Sequence, residues 1–262
     1  MTPSRANDGP LVGGTANRGR VIRVGDLVRR PAGAHSVAVH ALLDHLARDG
    51  FRRAPAVVAL DSDTEVLTYL EGEAAVDPIP DWALTAKAIT SVGALLRDFH
   101  RSTASFEQHG WSWQRPVPHP WSGNLLTHND THPANIIFRD GRAIGLIDFD
   151  LAAPGCAAWE LAVAACFWAP LHSDADIGDS RRGRVPERFR LLLDGYGADK
   201  ALRREVVEAC LDANQWNADI IEEASRRGHP AFGRLWAEQA DMYARAHDWL
   251  LSHRGILEKA IE

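Results

Sequence analysis

The sequence predicts an α+β protein with a small β-rich N-terminal lobe and a mainly helical C-terminal lobe. Short β-branched runs separated by turn residues fill the first ~75 residues, whereas apolar residues at helical spacing dominate afterwards. A hairpin pattern interrupts the helical part near its middle. With 262 residues, 45% of them hydrophobic, the chain is long enough to bury a large core shared by two closely joined lobes.

The predicted first lobe consists of short strands and one helix. Because Gly and Asp between β-branched runs favour tight turns, Gly25 and Asp26 predict a hairpin, and Pro31 ends its second strand. Ser36 is a suitable N-cap for the helix, and a glycine-containing loop at residues 12–19 precedes the hairpin. The predicted elements are a hairpin at residues 21–24 and 27–30, a helix at 36–49, and strands at 57–60 and 65–70.

The predicted second lobe follows a linker at residues 77–80, and Asp81 is expected to cap its first long helix. Its central hairpin turns at residues 139–142, between two apolar runs. Later helical patterns cover residues 159–168, 186–196, 200–226 and 233–261. We therefore divide the chain into a first lobe at residues 11–72 and a second lobe at residues 73–262.

The charge balance argues against nucleic acid as the main partner. With 29 Lys and Arg against 35 Asp and Glu, the formal net charge is -6, so no surplus of positive charge attracts a phosphate backbone. Cys156, Cys166 and Cys210 are too scattered for a disulfide framework and indicate buried thiols in a reducing cytosol. No apolar segment approaches the ~20 residues of a membrane helix, and residues 1–10 lack a signal-peptide pattern. We expect a cytoplasmic protein without membrane contact.

One motif carries most of the functional information. The chain reads His-Asn-Asp-Thr-His-Pro-Ala-Asn from His128 to Asn135, so Asp130 stands two residues after a His and five before an Asn. Phosphoryl-transfer enzymes use this spacing to place a carboxylate at the acceptor hydroxyl and an amide oxygen on Mg²⁺. A metal-binding carboxylate is expected on the next strand, where Asp148 precedes Phe149. The pattern predicts a phosphoryl-transfer site.

Each part of this pattern also has an ordinary structural explanation. An Asp at the end of a strand and an Asn before an apolar run are common turn residues, and His-x-Asp is frequent by chance. The order of the parts, with a hairpin between Asn135 and Asp148, is less common than any part alone. We therefore prefer the catalytic interpretation to coincidence or to a motif that has lost its activity.

Residues 128–138, followed by Leu-Ile-Asp-Phe-Asp at residues 146–150, resemble the catalytic loop and metal-binding strand of the aminoglycoside phosphotransferase and choline kinase-like family. The resemblance implies a two-lobed protein-kinase-like fold with ATP or GTP and Mg²⁺ between the lobes. It also implies that Asp130 orients the acceptor hydroxyl or accepts its proton, and that Asn135 and Asp148 hold Mg²⁺.

Neighbouring residues have expected supporting roles. The resemblance implies that His128 pins the loop through hydrogen bonds and that His132 stabilises it. Asn129 stands where relatives commonly have Gly, and Asn is among the few side chains that tolerate a left-handed backbone. Asp150 replaces the Gly of the protein-kinase Asp-Phe-Gly motif. It either assists the metal site through a water molecule or starts the next turn.

The first lobe departs from the family pattern at the phosphate-binding cation. Kinase-like folds hold the phosphates of ATP with a Lys on a first-lobe strand, which is paired with a Glu on a helix. The first Lys here is Lys87, beyond the linker, so Arg29 or Arg30 must take this role. We choose Arg29, and expect its loss to weaken ATP use far more than loss of Arg30.

The partner of this cation and the adenine contact are also assigned by resemblance. His40 stands at the position of the helix Glu, and Asp44 is one turn further on. Either residue is the partner, or both lie on a solvated helix face. Residues 68–71 resemble the hinge between the lobes, where backbone groups of Tyr69 and Leu70 would contact adenine.

The acceptor site is expected in the helical C-terminal region. Asp219, Glu222 and Glu223 share one helix face with Trp216 a turn earlier, an arrangement that suits a cationic, hydroxylated acceptor such as an aminoglycoside, a peptide antibiotic or a choline-like amine. Because two Arg residues follow at 226 and 227, we favour an ordinary solvated surface instead. Residues 172–185 form a polar loop that either covers the acceptor or merely connects helices.

The sequence as a whole predicts a small-molecule kinase that phosphorylates a hydroxyl group of a metabolite or antibiotic, as in antibiotic resistance. A protein kinase is disfavoured because the helix from residue 159 follows Asp150 too soon for a long activation segment. The alternative is a nucleotide-binding pseudokinase or regulatory module that lost turnover together with the Lys and Glu. The oligomeric state is left open.

Overall fold

The computed structural model describes residues 8–11, 15–17 and 19–262, so Gly13 and Gly14 of the expected glycine loop lie outside the described residues. The first five strands are β1 (Gly9–Pro10), β2 (Ile22–Val24), β3 (Leu27–Pro31), β4 (Val57–Leu60) and β5 (Thr64–Thr68). They form one antiparallel sheet in the order β1-β2-β3-β5-β4.

The β2-β3 hairpin forms at the predicted turn. Gly25 adopts a φ of 60°, a left-handed conformation that favours glycine. Successive side chains on a strand point to opposite faces, so the two arginines of β3 separate: Arg29 is exposed and Arg30 is buried. The face that Arg30 occupies is the one that meets the second lobe.

Helix α1 (Ser36–Arg48) packs on the first sheet through Leu42, Leu43 and Leu46, all of which are fully buried. Its N-cap residue is His35, and the expected cap Ser36 is the first helical residue instead. The Ser36 hydroxyl accepts a hydrogen bond from the Gly33 N–H at 2.9 Å, outside the helix. This contact orders the loop between β3 and α1.

The chain enters the second lobe through β6 (Glu73–Ala74), which pairs with β8 (Ile136–Arg139), and β8 pairs with β9 (Arg142–Leu146). Asp140 and Gly141 have φ of 52° and 66°, as a two-residue hairpin turn requires. A second pair joins β7 (Leu125–Thr127) to β10 (Ala153–Gly155). The division of the chain between residues 72 and 73 stays a prediction. It is supported by the strand pairing, since β5 belongs to the first sheet and β6 pairs with β8 of the second lobe.

Five helices complete the second lobe: α2 (Ala86–Thr103), α3 (Ala157–Trp168), α4 (Val185–Tyr196), α5 (Lys200–Arg226) and α6 (Pro230–Ala260). Asp81 does not cap α2, because it begins a separate 3-10 turn (Asp81–Leu84). Thr85 caps α2 instead, since its hydroxyl accepts a hydrogen bond from the Ala88 N–H at 3.2 Å. Among the described residues, no helix has the length and apolar content that crossing a membrane requires.

Helices α2 and α4 approach each other closely at two glycines. A Cβ atom on Gly93 would lie 2.2 Å from the Leu192 carbonyl oxygen, and one on Gly195 would lie 2.1 Å from the Thr90 carbonyl oxygen. Neither contact involves a side chain that can move aside. The backbones of the two helices therefore touch, and α2 is held in place behind the catalytic loop.

We expect Gly195→Ala to destabilise the protein by about 1 to 3 kcal/mol, because the added methyl group forces two helix backbones apart. Urea unfolding followed by circular dichroism measures this change. Gly255→Ala is the matched control, since that helical glycine has nothing near its Cβ direction; replacing it should raise helix propensity and leave stability equal or higher. Equal unfolding midpoints for the wild type and Gly195→Ala would show that α2 and α4 can separate without cost.

Candidate active site

The catalytic loop connects β7 to β8 and is fixed by the buried ring of His128. Its Nε2 donates to the Ile147 carbonyl oxygen at 3.0 Å, and its Nδ1 accepts from the Asp130 N–H at 3.2 Å. Burial lowers the pKa of His128, so the ring is neutral and can make both contacts. This is the pinning role that the resemblance implies, and it joins the loop to Ile147, the residue before Asp148.

A buried carboxylate that the sequence analysis did not single out anchors the same loop. Glu160, in the first turn of α3, is fully buried and accepts hydrogen bonds from the backbone N–H groups of His128 and Asn129, the latter at 3.1 Å. His100 Nε2 lies 3.6 Å from Glu160 Oε2, the oxygen that also accepts from the His128 N–H. The sequence carries a signal for this role, since Glu160 is a charged residue within an otherwise apolar helix.

Asn129 does more than tolerate a tight loop. Its φ is 64°, as expected for a left-handed position. Its side-chain oxygen accepts a hydrogen bond from the Trp159 indole at 3.0 Å, and its amide nitrogen donates to the Leu151 carbonyl oxygen at 2.9 Å. The side chain thus links the catalytic loop to α3 and to the turn after β9, which a Gly cannot do.

Asp130, Asn135 and Asp148 converge at the face of the second lobe that meets the first sheet. The Asn135 amide nitrogen donates to the Asp130 carbonyl oxygen at 3.1 Å, which leaves its amide oxygen for another ligand. Asp148 follows β9 with a φ of 63°, so the chain turns sharply there. Desolvation, and next the negative charge of Asp148, raise the pKa of Asp130 to about 8.

The structure brings Arg30 to this site and not Arg29, so the choice between the two arginines is corrected. Arg30 donates to Asp148 at 2.7 Å, makes a short contact with Asp150, and donates to Glu65 at 2.6 Å. Arg29 is exposed on the opposite face of β3. The error is one of strand register, because a shift by one residue exchanges the two faces of a strand.

The partner of this cation is not on the helix. Glu65 on β5 accepts from Arg30, and His40 on α1 makes a short hydrogen bond to the other Glu65 oxygen. His40 therefore reaches Arg30 only through Glu65, while the alternative partner Asp44 is exposed. A cross-strand Glu is difficult to assign from sequence, since it requires knowing that β3 and β5 are neighbours.

Asp150 has a defined place beside the metal-binding strand. It lies in a 3-10 turn (Phe149–Leu151), as one of its two expected roles requires. Its carboxylate also contacts Arg30 and lies 3.3 Å from His35 Nε2. Although burial disfavours a charged group, the carboxylates around Arg30 raise the pKa of its guanidinium, so Arg30 stays a cation.

One backbone group of the expected hinge already has a partner. The N–H of Tyr69 donates to the Asp26 carbonyl oxygen at 2.8 Å, so it is already engaged within the first lobe. Arg23 stacks on the Tyr69 ring at 3.5 Å from its centroid. A contact between adenine and this segment would therefore use other backbone groups, including those of Leu70.

The acidic face of α5 is largely neutralised. Arg115 binds both oxygens of Glu223, at 2.8 and 3.1 Å, and Arg226 binds Glu222 at 2.6 Å. Arg115 also lies 5.7 Å from the ring centroid of Trp216, in the place that a cationic ligand would take. This face accordingly offers little net charge to a cationic acceptor, in agreement with the solvated surface that we favoured.

The polar loop after α3 is held at two places by arginine side chains. Arg181 binds Asp179 with two nitrogens and donates to the Phe167 carbonyl oxygen at 2.8 Å. Arg245 on α6 binds Asp176 at 2.5 Å. These contacts hold the loop against α3 and α6.

The donor atoms fit a magnesium ion. Mg²⁺ prefers hard oxygen ligands and is commonly bound by one or two carboxylates together with substrate phosphates. The Asp148 carboxylate and the free amide oxygen of Asn135 are ligands of this kind. Among the residues that the structure describes, no three His, Cys, Asp or Glu side chains cluster to hold a metal by themselves.

Comparisons with known proteins agree with this arrangement. A model of the phosphotransferase enzyme family matches residues 107–205, which include the catalytic loop. The chain is 34% identical over 270 residues to the trifolitoxin immunity protein of Rhizobium leguminosarum bv. trifolii, and the match covers 96% of this chain and 97% of that protein.

Solved structures confirm the predicted kinase-like fold. Amicoumacin kinase in complex with AMP-PNP, Ca²⁺ and Ami has a TM-score of 0.65 at 13% identity, covering 95% of this chain and 89% of the other. A choline/ethanolamine kinase family protein from Mesorhizobium loti has a TM-score of 0.58 at 16% identity, covering 95% and 94%. At these identities the likeness concerns the fold.

The half-buried ring of His132 gives the loop a testable pH dependence. Burial lowers the pKa of His132 to about 4, and its Nδ1 accepts from the Ala134 N–H at 3.2 Å. An unfolded His binds a proton near pH 6.5, so the stabilising contribution is complete above that pH and is lost as the pH falls towards 4. Between pH 7 and 4, the wild type should lose about 2 to 3 kcal/mol more stability than His132→Asn, whose side-chain oxygen replaces Nδ1.

Denaturant unfolding at several pH values measures this difference. The control is His119→Asn at an exposed position, which should follow the wild-type pH profile. Parallel profiles for the wild type and His132→Asn would mean that the ring is protonated without cost in the folded protein.

Proposed function

The chain belongs to the aminoglycoside phosphotransferase and choline kinase-like family, and from this premise we propose that it is an ATP- and Mg²⁺-dependent O-phosphotransferase. Its proposed acceptor is a small hydroxylated molecule, with GTP as the alternative nucleotide. The observation that carries the proposal is the convergence of Asp130, Asn135, Asp148 and Arg30 between the two lobes.

Each of these residues has a chemical task in the proposed reaction. Phosphoryl transfer depends mainly on positioning and on neutralising the charge of the transferring group. Asn135 and Asp148 would hold Mg²⁺, which when bound supplies most of that neutralisation. Arg30 would bind phosphate oxygens, since a guanidinium retains its charge when buried and offers paired N–H donors.

Asp130 would act on the acceptor hydroxyl. A general base is most effective when its pKa lies near the working pH, and the pKa of Asp130 is raised to about 8. Its backbone is fixed on both sides, by the His128 ring and by the Asn135 amide. The carboxylate would therefore receive the hydroxyl proton from a defined direction.

The relatives support a toxin or antibiotic as the acceptor. The protein from Rhizobium leguminosarum is an immunity protein for trifolitoxin, and one structural neighbour is an amicoumacin kinase. We propose that this chain protects a cell by phosphorylating such a compound. The neutralised face of α5 favours recognition through hydrogen bonds over recognition through positive charge.

A cytoplasmic location is part of the proposal. The three cysteines are free, and Cys210 is buried. Burial raises the pKa of Cys166 to about 12, so this thiol is unreactive. Free thiols are typical of a reducing compartment, which also supplies ATP.

A nucleotide-binding module without turnover is the second candidate. It is favoured by the absence of a first-lobe Lys and by the placement of Arg30, whose guanidinium binds both Asp148 and Asp150. The two candidates differ in a single measurement, the release of ADP from ATP in the presence of acceptor.

We expect steady release of ADP with at least one compound in a panel of hydroxylated antibiotics, and Asp130→Asn should reduce the rate by about 10² to 10⁴. Binding of Mg-ADP to the variant should be retained. Asp140→Asn is the matched control, because Asp140 is an exposed turn residue whose positive φ suits Asn. Mg-ATP binding without phosphorylation of any compound would favour the module without turnover.

The two arginines of β3 give a second test. Arg30→Ala should weaken Mg-ADP binding by about 10- to 100-fold, since charged hydrogen bonds contribute about 1.5 to 3 kcal/mol. Arg29→Ala, at the exposed neighbouring position, should bind within twofold of the wild type. Isothermal titration calorimetry measures both, with circular dichroism to verify folding. If Arg29→Ala lost more affinity for Mg-ADP than Arg30→Ala, the phosphate contact would lie on the other face of β3.

A further inference from the structure

The cation of the first lobe is held within the sheet. Arg30 and Glu65 are directly opposite each other in the register of β3 and β5, and their side chains join at 2.6 Å between Nε and Oε1. Cross-strand neighbours have Cβ atoms only ~5 Å apart. The pairing of β3 with β5 therefore places the side chains of Arg30 and Glu65 within reach of each other, whatever the position of α1.

This contact determines how the guanidinium is oriented. The Nε–H bond lies in the plane of the guanidinium group, so the hydrogen bond to Glu65 restrains the direction in which the far end of the group points. The two terminal nitrogens then point away from the sheet, one to Asp148 and one to Asp150. A lysine cannot be oriented in this way, because its ammonium is a point charge on a flexible stem.

The remaining oxygen of Glu65 is bound by His40 from α1. Glu65 is fully buried, and both Arg30 and His40 are 7% exposed. One carboxylate thus joins two strands and a helix, and water has little access to it. Such a shielded contact has more effect on side-chain position than an exposed ion pair.

We propose that Glu65, anchored by His40, is the positioning residue for the phosphate-binding Arg30, in place of a carboxylate on the helix. This inference rests on the proposed function, in which Arg30 binds the phosphates. Glu65 itself does not touch the nucleotide. It acts through the orientation of the guanidinium, so its effect on nucleotide binding depends on the presence of an arginine at position 30.

The test measures Mg-ADP binding to the full chain by calorimetry for Glu65→Met, Arg30→Lys and the double variant. Met keeps the length of the side chain and removes the acceptor oxygens. We expect Glu65→Met to weaken binding by about tenfold, the loss of one charged hydrogen bond. In the Arg30→Lys background the same change should weaken binding by less than about threefold, because no guanidinium remains to be oriented.

A merely structural role would give a different pattern. The Glu65→Met substitution would then weaken Mg-ADP binding by the same factor in the wild-type and Arg30→Lys backgrounds, and this outcome overturns the proposal. Binding of Glu65→Met within twofold of the wild type also overturns it. Asp61→Asn is the control, since Asp61 is an exposed residue of the same lobe that has no part in the proposed nucleotide site; it should bind Mg-ADP like the wild type. If Glu65→Met does not fold, Glu65→Gln decides the matter: a loss of about threefold supports the proposal and unchanged binding overturns it.

The failure of this inference differs from the failure of the proposed function. If Arg30→Lys and Arg30→Ala bind Mg-ADP like the wild type, Arg30 is not the phosphate contact and the function as proposed is wrong at that point. If both variants lose affinity but Glu65→Met does not, only the positioning role is wrong.

Discussion

The arrangement of the two lobes depends on the ion pairs that the buried guanidinium of Arg30 makes with carboxylates of both lobes. It is bound by Glu65 from its own sheet and by Asp148 and Asp150 from the second lobe. A buried charge is tolerated only when it is paired, and removal of one partner from such a pair costs about 3 to 5 kcal/mol. Separation of the lobes would expose or unpair these charges, so the same contacts that assemble the site also hold the lobes together.

A second buried carboxylate has the corresponding role in the other lobe. Glu160 is fully buried and binds two backbone N–H groups at the start of the catalytic loop. The loop needs this support because backbone groups withdrawn from water must be paired. Glu65 and Glu160 thus each orient one half of the site. Neither carboxylate belongs to the predicted catalytic motif, yet Glu160 holds the backbone of its loop and Glu65 holds Arg30 opposite it.

The acidic face of α5 follows a different pattern. Arg115 and Arg226 bind the carboxylates of Glu223 and Glu222 from within the chain. These ion pairs neutralise most of the charge that a cationic ligand would need at this face.

The sequence by itself determined the family, the kinase-like fold and most of the elements. The spacing from His128 to Asn135 and the hairpin before Asp148 are local patterns, and local patterns can be recognised without a structure. The start of α2 was harder to predict, since Asp81 and Thr85 are both suitable N-cap residues. In the structure Thr85 caps the helix and Asp81 begins a 3-10 turn. The tertiary structure alone decided which arginine faces the site and which carboxylate holds it. Both depend on strand register and on the pairing of β3 with β5, which are contacts between residues far apart in the chain.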